Sequence, residues 1–568
     1  MLEMTNDYKK NRIAIMLLIL IVALGFFFRV IYVLNHFSQD DEAIHLLNRL
    51  DEYQKMEYFI NIGHVNERPL NDSSKYIKLF PNSPYSYEFI ITPEMINGNP
   101  VLYSLKTAYQ MTYAPFYSFM AGFIINDNAP YEKRLMQLRF PNLIFSVLSL
   151  ILFALLMYRL DAGLISGLTP ASLLSVAIMP NVYASQGIPY GFLIFLIILQ
   201  LLFIQHIESR GNINLREAVL AGLLSVVTGY SHWMMFLPNV MFYLSLLAIL
   251  IFNKKINKEK IIQLVISFTS YMVIMMPGIF LFVLKRAGEA ANRKDFYPIE
   301  INTDLPFNLT NRLFLIIKSN LSILPEEYLL NTILIYVLIG IILVGVMGMF
   351  FRGCAKTKFT LFYSIGVISL YCVASFMKLV PLTPTRHTIF FIPLLLYMIS
   401  SGIGHMKYVW GNHRQKLEYG VYFITAVIIL TALVNFPDSY RDRTKKINNI
   451  TIQAIEDMAV KYKAQCVVVL NSTEAFLALR EKIKIPVRFY SPPNDYGDLE
   501  EFDSLLFVST TKKLASDNKD FLSLVKSLDS NFIISREIAD EGISMDVVSE
   551  FNLTHVFNHF YVSFVHRL

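Results

Sequence analysis

Three consecutive carboxylates, Asp40, Asp41 and Glu42, follow an apolar run that ends near residue 34. Carboxylate oxygens suit Mg²⁺ or Mn²⁺, and a carboxylate beside an acceptor hydroxyl or amine can accept its proton during attack. Asp and Glu are also favoured at the start of a solvated helix. The acidic run therefore has three open interpretations: a general base, a metal site that includes Asp41 and Glu42, or an ordinary helix start.

Basic residues stand at the start of two later apolar runs. Arg386 and His387 follow the proline-containing stretch LVPLTPT, and Arg139 begins another run. A guanidinium can bind a phosphate through two hydrogen bonds, and a lipid phosphate lies at headgroup depth. These three residues are candidates for binding a donor phosphate. The alternatives are a snorkelling side chain at Arg386 and a structural role for Arg139.

Polar and aromatic residues in other connections could line a cavity. They are His232 in GYSHWMMFLP, Tyr183 and Gln186 in PNVYASQGIPYGF, and Tyr113 in MTYAP. A His beside a Trp is also typical of an interfacial structural position. A plain turn between two helices would equally explain the segment that contains Gln186.

The elements that must position these residues are membrane helices. The chain is 54% hydrophobic and 17% charged, and its mean hydropathy of +0.45 exceeds what a soluble domain needs. An apolar stretch of about 18 or more residues can cross the hydrocarbon core as a helix. The sequence predicts about eleven spans, at 13–34, 138–158, 163–182, 188–206, 216–232, 234–252, 261–284, 331–351, 358–378, 386–404 and 418–436.

Lys and Arg are concentrated in alternate short connections, which favours the cytoplasm for those connections. The N terminus is then cytoplasmic, and the acidic run and the C-terminal tail are extracytoplasmic, in the cell membrane. No A-x-A site follows the first run, which favours a retained anchor over a cleaved signal peptide. The topology separates the three cysteines, so no disulfide is indicated. The net charge of +6 reflects basic loops that would attract anionic lipids, and nothing indicates a nucleic-acid partner.

The sequence divides into two predicted domains. Residues 1–436 form a transmembrane catalytic domain with an outer segment at 35–137. That segment has amphipathic helical patterns broken at Pro115, and we expect helices along the membrane surface, with a re-entrant segment at 111–126 as the alternative. Residues 437–568 alternate helix and strand patterns, which is typical of a small soluble α/β domain, here extracytoplasmic. The predicted fold class is a polytopic α-helical membrane protein with such a domain.

The order of these parts resembles the GT-C membrane glycosyltransferases, in particular the branch of the protein O-mannosyltransferases and the lipid A aminoarabinose transferase. Each motif is weak by itself, and their order is more specific. The resemblance covers about the first 405 residues and rests on DDEAIHLLNRL, GNPVLYSLKTAYQMTYAPFYSFMAGFI, RLMQLRFPNLIFSVLSLILFALLMYRL, MPNVYASQGIPYGFLIFLIILQ and TRHTIFFIPLLLYMI.

The resemblance implies a polyprenyl-phosphate sugar as donor and an inverting transfer at the outer face to a glycan, lipid or protein. The family's acidic base or metal ligand falls on Asp41 and Glu42, or one residue earlier on Asp40. Its external phosphate-binding residue falls on Arg386. The chain departs from the family in having TYAP where a double proline is familiar, and its C-terminal segment suggests no specific relative. The acceptor is therefore open.

Two classes without transferase activity compete with this interpretation. A transporter or flippase of lipid-linked saccharides should show paired repeats and charges near the bilayer centre, and the sequence shows neither. A noncatalytic membrane scaffold with an external sensor domain stays open. A glycan polymerase or ligase would also act at the outer face, but the long early loop disfavours it.

Overall fold

The computed structural model covers residues 1–568. The part that it describes comprises residues 2–35, 42, 45–46, 76–78, 88–90, 99–111, 114–126, 128–129, 131–158, 164–252, 258–279, 305–324, 328–351, 358–377, 380, 382, 386–409, 413–441, 455–457, 459–461, 463–470, 479, 483–490, 504–509, 532–538, 544–548, 556–559 and 561–567. Asp40, Asp41 and Tyr113, which the sequence analysis selected, lie outside these residues.

The chain forms two compact units. The helical unit comprises residues 1–34, 141–439 and 551–553, and the mixed unit comprises residues 35–140, 440–550 and 554–568. The first outer segment therefore falls in the same unit as most of the C-terminal segment. The predicted boundary at residues 436 and 437 stays a prediction.

Helices account for nearly all of the described helical unit. Each of the eleven predicted spans overlaps at least one of these helices. They are α1 (Leu2–Asn35), α4 (Tyr131–Tyr158), α5 (Ile165–Val176), α6 (Ile178–Ala184), α7 (Tyr190–Arg210), α8 (Leu215–Ser231), α9 (Phe236–Phe252), α10 (Lys258–Gly278), α11 (Leu305–Leu321), α12 (Leu329–Phe351), α13 (Lys358–Phe376), α14 (Phe391–Val409) and α15 (Arg414–Arg441). The labels α2 and α3 belong to helices of the first outer segment.

Eight of the helices in the described residues are long and apolar enough to cross a membrane, and the bent pair α5 and α6 could supply a ninth. Helix α8 has only 17 residues, so its predicted span is short for a bilayer. The chain is thus a multi-pass α-helical membrane protein. The number of eleven spans and the orientation of the termini stay predictions.

The third predicted span is not one straight helix. Helices α5 and α6 meet at Ala177, which is extended, and their axes differ by 52°. Pro180 has no N–H, so it cannot bond the carbonyl of Val176 and continue α5. The apolar run at 163–182 predicts a single span, whereas the structure has two helices, and the bend follows from that proline.

A buried arginine forms hydrogen bonds with the end of α5, next to this bend. Arg29 of α1 is 1% exposed, and its guanidinium donates to the Ser146 hydroxyl at 2.6 Å and to the Leu174 carbonyl at 2.8 Å. It also donates to the carbonyls of Gly25 and Ser175. Carbonyls at a helix C terminus carry partial negative charge and lack helical partners. The sequence analysis gave Arg29 no role; the structure shows it joining α1 and α4 to the end of α5.

Helix α7 lies in the interior of the helical unit, and most of its side chains, both apolar and polar, are buried. Gln200 of this helix accepts from the Tyr363 hydroxyl and donates to Asn239 at 2.7 Å. Asn239 in turn donates to the Ser225 carbonyl and to Tyr271. Polar groups buried among membrane helices are stabilised by such bonds, because hydrocarbon offers no partner.

The first outer segment contains two described helices in the mixed unit. Helix α2 spans Pro100–Met111 and α3 spans Pro115–Gly122, so the helical pattern is interrupted just before Pro115 as the sequence predicts. The two helices approach closely, since a Cβ on Gly122 would lie 2.8 Å from the Pro100 side chain. A glycine is required at this contact.

The remaining mixed unit contains β structure. Strands β1 (Tyr76–Lys78) and β2 (Glu88–Ile90) form an antiparallel pair. A five-stranded sheet has the order β4-β3-β5-β9-β6, with β3 parallel to both β4 and β5. Its strands are β3 (Cys466–Leu470), β4 (Val487–Tyr490), β5 (Ser504–Ser509), β6 (Phe532–Ile538) and β9 (Tyr561–Arg567), and a separate antiparallel pair is formed by β7 (Ser544–Val548) and β8 (Val556–His559).

Candidate functional site

The third carboxylate of the acidic run is buried in an ion pair. Glu42 accepts from Arg139 Nε at one carboxylate oxygen and from Arg139 Nη2 at the other, each at 2.8 Å. Both side chains are 0% exposed. This fork-to-fork geometry is the strong, directional form of the contact between arginine and a carboxylate. The two residues are 97 positions apart in the sequence. The sequence suggested separate roles for them, with Glu42 as a base or metal ligand and Arg139 at the donor phosphate.

Three helical segments of the mixed unit converge around this pair. Tyr117 of α3 donates its hydroxyl to the carbonyl of Leu138, the residue before Arg139, at 2.8 Å. His45 lies three residues after Glu42, which is nearly one helical turn, and its Nδ1 is 3.1 Å from the Tyr103 hydroxyl of α2. The ring of His45 also meets that of Tyr117 at a centroid distance of 6.5 Å.

His45, Tyr103 and Tyr117 are site residues that sequence reasoning missed. The spacing of Glu42 and His45 could have indicated a shared helical face, because residues three apart are neighbours on a helix. No local pattern indicated the tyrosines, since aromatic residues are frequent throughout this chain. Their burial at 0% for Tyr103 and 1% for Tyr117 is a tertiary feature.

The described residues do not fit a metal at Glu42. A guanidinium contacts both of its oxygens, and a divalent cation beside that guanidinium would meet a like charge. Among the described residues no group of three or more His, Cys, Asp or Glu side chains is arranged to hold a metal. The predicted metal role of Glu42 is therefore not supported by its contacts, and Asp41 lies outside the described residues.

The turn that contains Arg386 and His387 belongs to the helical unit. Residues Arg386–Thr388 form a short 3-10 helix, and His387 is 7% exposed. Tyr371 of α13 donates to the His387 carbonyl, and Asn320 of α11 donates to the Thr388 carbonyl, each at 3.3 Å. Side chains from two helices thus hold the backbone of this turn. They thereby fix the backbone position of the turn that contains Arg386.

His232 closes helix α8 and starts the next turn. Its Nδ1 accepts from the Met234 N–H at 3.3 Å, so His232 caps this turn, and its predicted place in a cavity lining stays a prediction. Its ring also packs against Tyr190 at a centroid distance of 5.8 Å. Tyr190 in turn packs against Tyr183 at 5.2 Å. The predicted cavity-lining residues Tyr183 and His232 are therefore linked through Tyr190.

A side chain of α4 forms hydrogen bonds with the backbone of the connection between α6 and α7. Asn142 donates from Nδ2 to the carbonyls of Tyr183 at 2.6 Å and Gln186 at 2.8 Å. Its Oδ1 accepts from the Phe192 N–H at 2.9 Å. Every residue from Tyr183 to Phe192 is buried. This is more than the plain turn that the sequence allowed, because a side chain from another helix sets its backbone.

Comparison with known proteins gives structural likenesses only. No protein-family model matches the sequence, and no curated protein sequence matches it. The apo structure of ArnT from Cupriavidus metallidurans is 12% identical, with 96% of this chain and 97% of ArnT covered at a TM-score of 0.47. ArnT from Cupriavidus metallidurans bound to undecaprenyl phosphate is 13% identical, with the same coverage and a TM-score of 0.48.

The comparison also finds a third solved structure. The oligosaccharyltransferase of Archaeoglobus fulgidus, in complex with Zn and sulfate, is 12% identical, with 86% of this chain and 67% of that chain covered at a TM-score of 0.44. ArnT and the oligosaccharyltransferase are both GT-C superfamily members, the class that the sequence motifs resemble. The likeness concerns the course of the chain, and the ligands named here are those of the other proteins.

Proposed function

We propose that this protein is a membrane glycosyltransferase that moves a sugar from a polyprenyl-phosphate donor to a glycan, lipid or protein acceptor at the outer face. The buried pair of Glu42 and Arg139 carries the proposal. A solvated helix start would leave its acidic residues in water, whereas here the third carboxylate is fully enclosed. Burying two charges costs several kcal/mol of desolvation each, which only close pairing offsets. The acidic run is therefore anchored to protein at that residue.

In this proposal Asp41 is the general base and Glu42 is a positioning residue. Both carboxylate oxygens of Glu42 accept hydrogen bonds from Arg139, so the proposal gives the base role to Asp41, its neighbour in the sequence. Asp41 accepts the proton of the acceptor nucleophile as that nucleophile attacks the anomeric carbon. The sugar's configuration inverts, and the lipid phosphate leaves. Asp40 is the alternative base if the register of the motif is shifted by one residue.

Arg386 is the residue proposed to stabilise the departing phosphate, with His387 beside it. Its turn is fixed by hydrogen bonds from Tyr371 and Asn320, which would limit reorganisation when charge develops on the leaving group. Arg139 is assigned to Glu42 in this proposal, because its Nε and Nη2 both donate to that carboxylate. The N terminus is placed in the cytoplasm, so that the acidic run and the turn at 386–388 face the outer compartment.

A transfer assay with charge-neutral variants tests the proposal. Membranes with wild type, Asp41→Asn, Asp40→Asn or the control Asp457→Asn, an exposed residue of the C-terminal segment, receive radiolabelled polyprenyl-phosphate sugars. We expect transfer by wild type and by the control, and its loss in Asp41→Asn. Loss only in Asp40→Asn would shift the base by one residue.

Three further results of this assay would change the proposal. Retention of full transfer in both variants of the acidic run would refute the base assignment. Loss of transfer on addition of EDTA, with recovery on Mn²⁺, would show that a metal takes part in the transfer. Consumption of no donor by the wild type would favour a transporter or a scaffold.

A further inference from the structure

A glutamine in the connection between α6 and α7 is buried with its whole side-chain amide unused. Gln186 is 0% exposed, and neither its Nε2 nor its Oε1 has a hydrogen-bond partner among the described residues. An unpaired polar group enclosed in protein is destabilising, and native proteins contain few of them. The Gln186 amide therefore calls for a partner from outside the chain.

The position of this amide is set by other contacts, so its isolation does not reflect a loose loop. Asn142 binds the Gln186 carbonyl at 2.8 Å and the Phe192 N–H at 2.9 Å, which holds the segment at both ends. Gly191 lies against the same side chain, since a Cβ there would be 2.7 Å from Asn142 Oδ1. The backbone is thus locked to α4, while the Gln186 side chain has no hydrogen-bond partner in the part of the chain that the structure describes.

Aromatic rings lie beside this segment. Tyr183 precedes Gln186 by three residues and Tyr190 follows it by four, and their rings pack at 5.2 Å. His232 extends the row beyond Tyr190. Apart from protonation of His232, none of these side chains carries a formal charge. A group bound at the Gln186 amide would meet a neutral donor and acceptor pair, with Tyr183 and Tyr190 within four residues of it in the sequence.

We propose that Gln186, with Tyr183 and Tyr190, forms a subsite for the uncharged hydroxyl-bearing sugar ring of the lipid-linked donor. The inference rests on the proposed function and adds where the sugar is recognised. One amide can donate to one sugar hydroxyl and accept from its neighbour, and such pairs discriminate strongly against analogues that lack them. A phosphate would demand a cation, which places it at Arg386 in the proposed function. Since Gln186 is sealed from water, the sugar reaches it only when a neighbouring segment moves.

Lipid binding by purified protein tests this subsite apart from catalysis. The ligands are undecaprenyl phosphate and the same lipid carrying mannose, glucose, galactose or N-acetylglucosamine, and the measurements are Kd and the shift in Tm. The variants are Gln186→Leu, Gln186→Met and the control Gln205→Leu. Gln205 is another buried glutamine with an Oε1 that has no hydrogen-bond partner among the described residues, and it lies about 22 Å along α7 from Tyr190.

The expected result has opposite signs for stability and binding. Without lipid, Gln186→Leu should have a Tm equal to or above that of the wild type, because an unpaired polar group has been removed. It should bind bare undecaprenyl phosphate normally but bind the preferred sugar-bearing lipid at least about tenfold more weakly. Gln186→Met, which keeps an unbranched side chain of similar length, should behave in the same way. Gln205→Leu should retain the wild-type preference.

Three outcomes separate the inference from the proposed function. If the wild type binds every sugar-bearing lipid no better than the bare lipid, or if both Gln186 variants keep its preference, the subsite is overturned. If the subsite is overturned in either of these two ways but the wild type still binds lipid phosphates and transfers sugar, the proposed function stands. If it neither binds a lipid phosphate nor transfers sugar, the proposed function fails as well.

Discussion

Removal of one member of the ion pair between Glu42 and Arg139 should open the first outer segment. Both side chains are fully buried, and two bonds of 2.8 Å join them. Loss of one partner of a buried pair costs about 3 to 5 kcal/mol, because the other charge is left unpaired. At about 1.4 kcal/mol per tenfold, Arg139→Met should raise the local opening equilibrium by a factor of about 100 or more.

Native-state proteolysis between the first two spans measures this opening, since the cleavage rate follows the open population when reclosing is fast. Glu42→Gln should show an effect similar to that of Arg139→Met. The double variant should cost less than the sum of the two, because it leaves no unpaired charge. Sugar transfer should fall in parallel with opening.

Arg210→Met is the matched control for this experiment. Arg210 also pairs with a glutamate, Glu217, but its side chain is 50% exposed. Exposed pairs contribute about 0 to 1 kcal/mol because water and salt screen them. The reasoning would be refuted if Arg139→Met and Arg210→Met had equal effects, or if the Glu42 and Arg139 substitutions were additive.

Three further substitutions or labelling tests follow from the packing. Arg29→Lys should lower Tm, because one ammonium cannot reach Ser146 and three carbonyls together. The control Arg12→Lys changes an exposed position and should lower Tm less. Equal Tm values for the two variants would contradict this prediction. Asn142→Ala should lower the free energy of unfolding by about 2 kcal/mol or more, because it leaves two buried carbonyls and one N–H without their hydrogen-bond partner. Unfolding of the purified protein measures this loss. A loss below about 0.5 kcal/mol, which is typical of a surface substitution, would contradict the prediction. Burial raises the pKa of the Cys466 thiol to about 12, so folded protein at pH 8 should resist alkylation there, and rapid labelling detected by mass spectrometry would show that the strand is open.

The helices are the part of the fold that sequence reasoning could predict. Apolar length and charge spacing are local quantities, and a bilayer requires backbone bonds to be satisfied within each segment. A helix is present at each of the eleven predicted spans for that reason. The break before Pro115 was also predictable, because a proline cannot donate the bond that continues a helix. The bend at Ala177 has the same cause at Pro180, but the apolar run masked it.

The candidate site depended on contacts that no local pattern encodes. Glu42 and Arg139 each had a plausible separate role in the sequence, and only their distance in the structure joins them. Arg29 looked like an ordinary charge within an apolar run, yet it bonds residues up to 146 positions away. Gln186 could have lined a cavity or an ordinary turn, and its unused amide became visible only when burial and bonding were both known.

The sequence by itself determined that this chain crosses a membrane several times and carries a concentrated acidic run just beyond its first span. Hydrophobic length and composition suffice for that, because the bilayer acts on each segment separately. The tertiary structure alone decided which charges are paired, which helix ends are capped and which polar group is left unused. Those outcomes depend on desolvation and on hydrogen-bond geometry between distant segments, which the one-dimensional pattern does not contain.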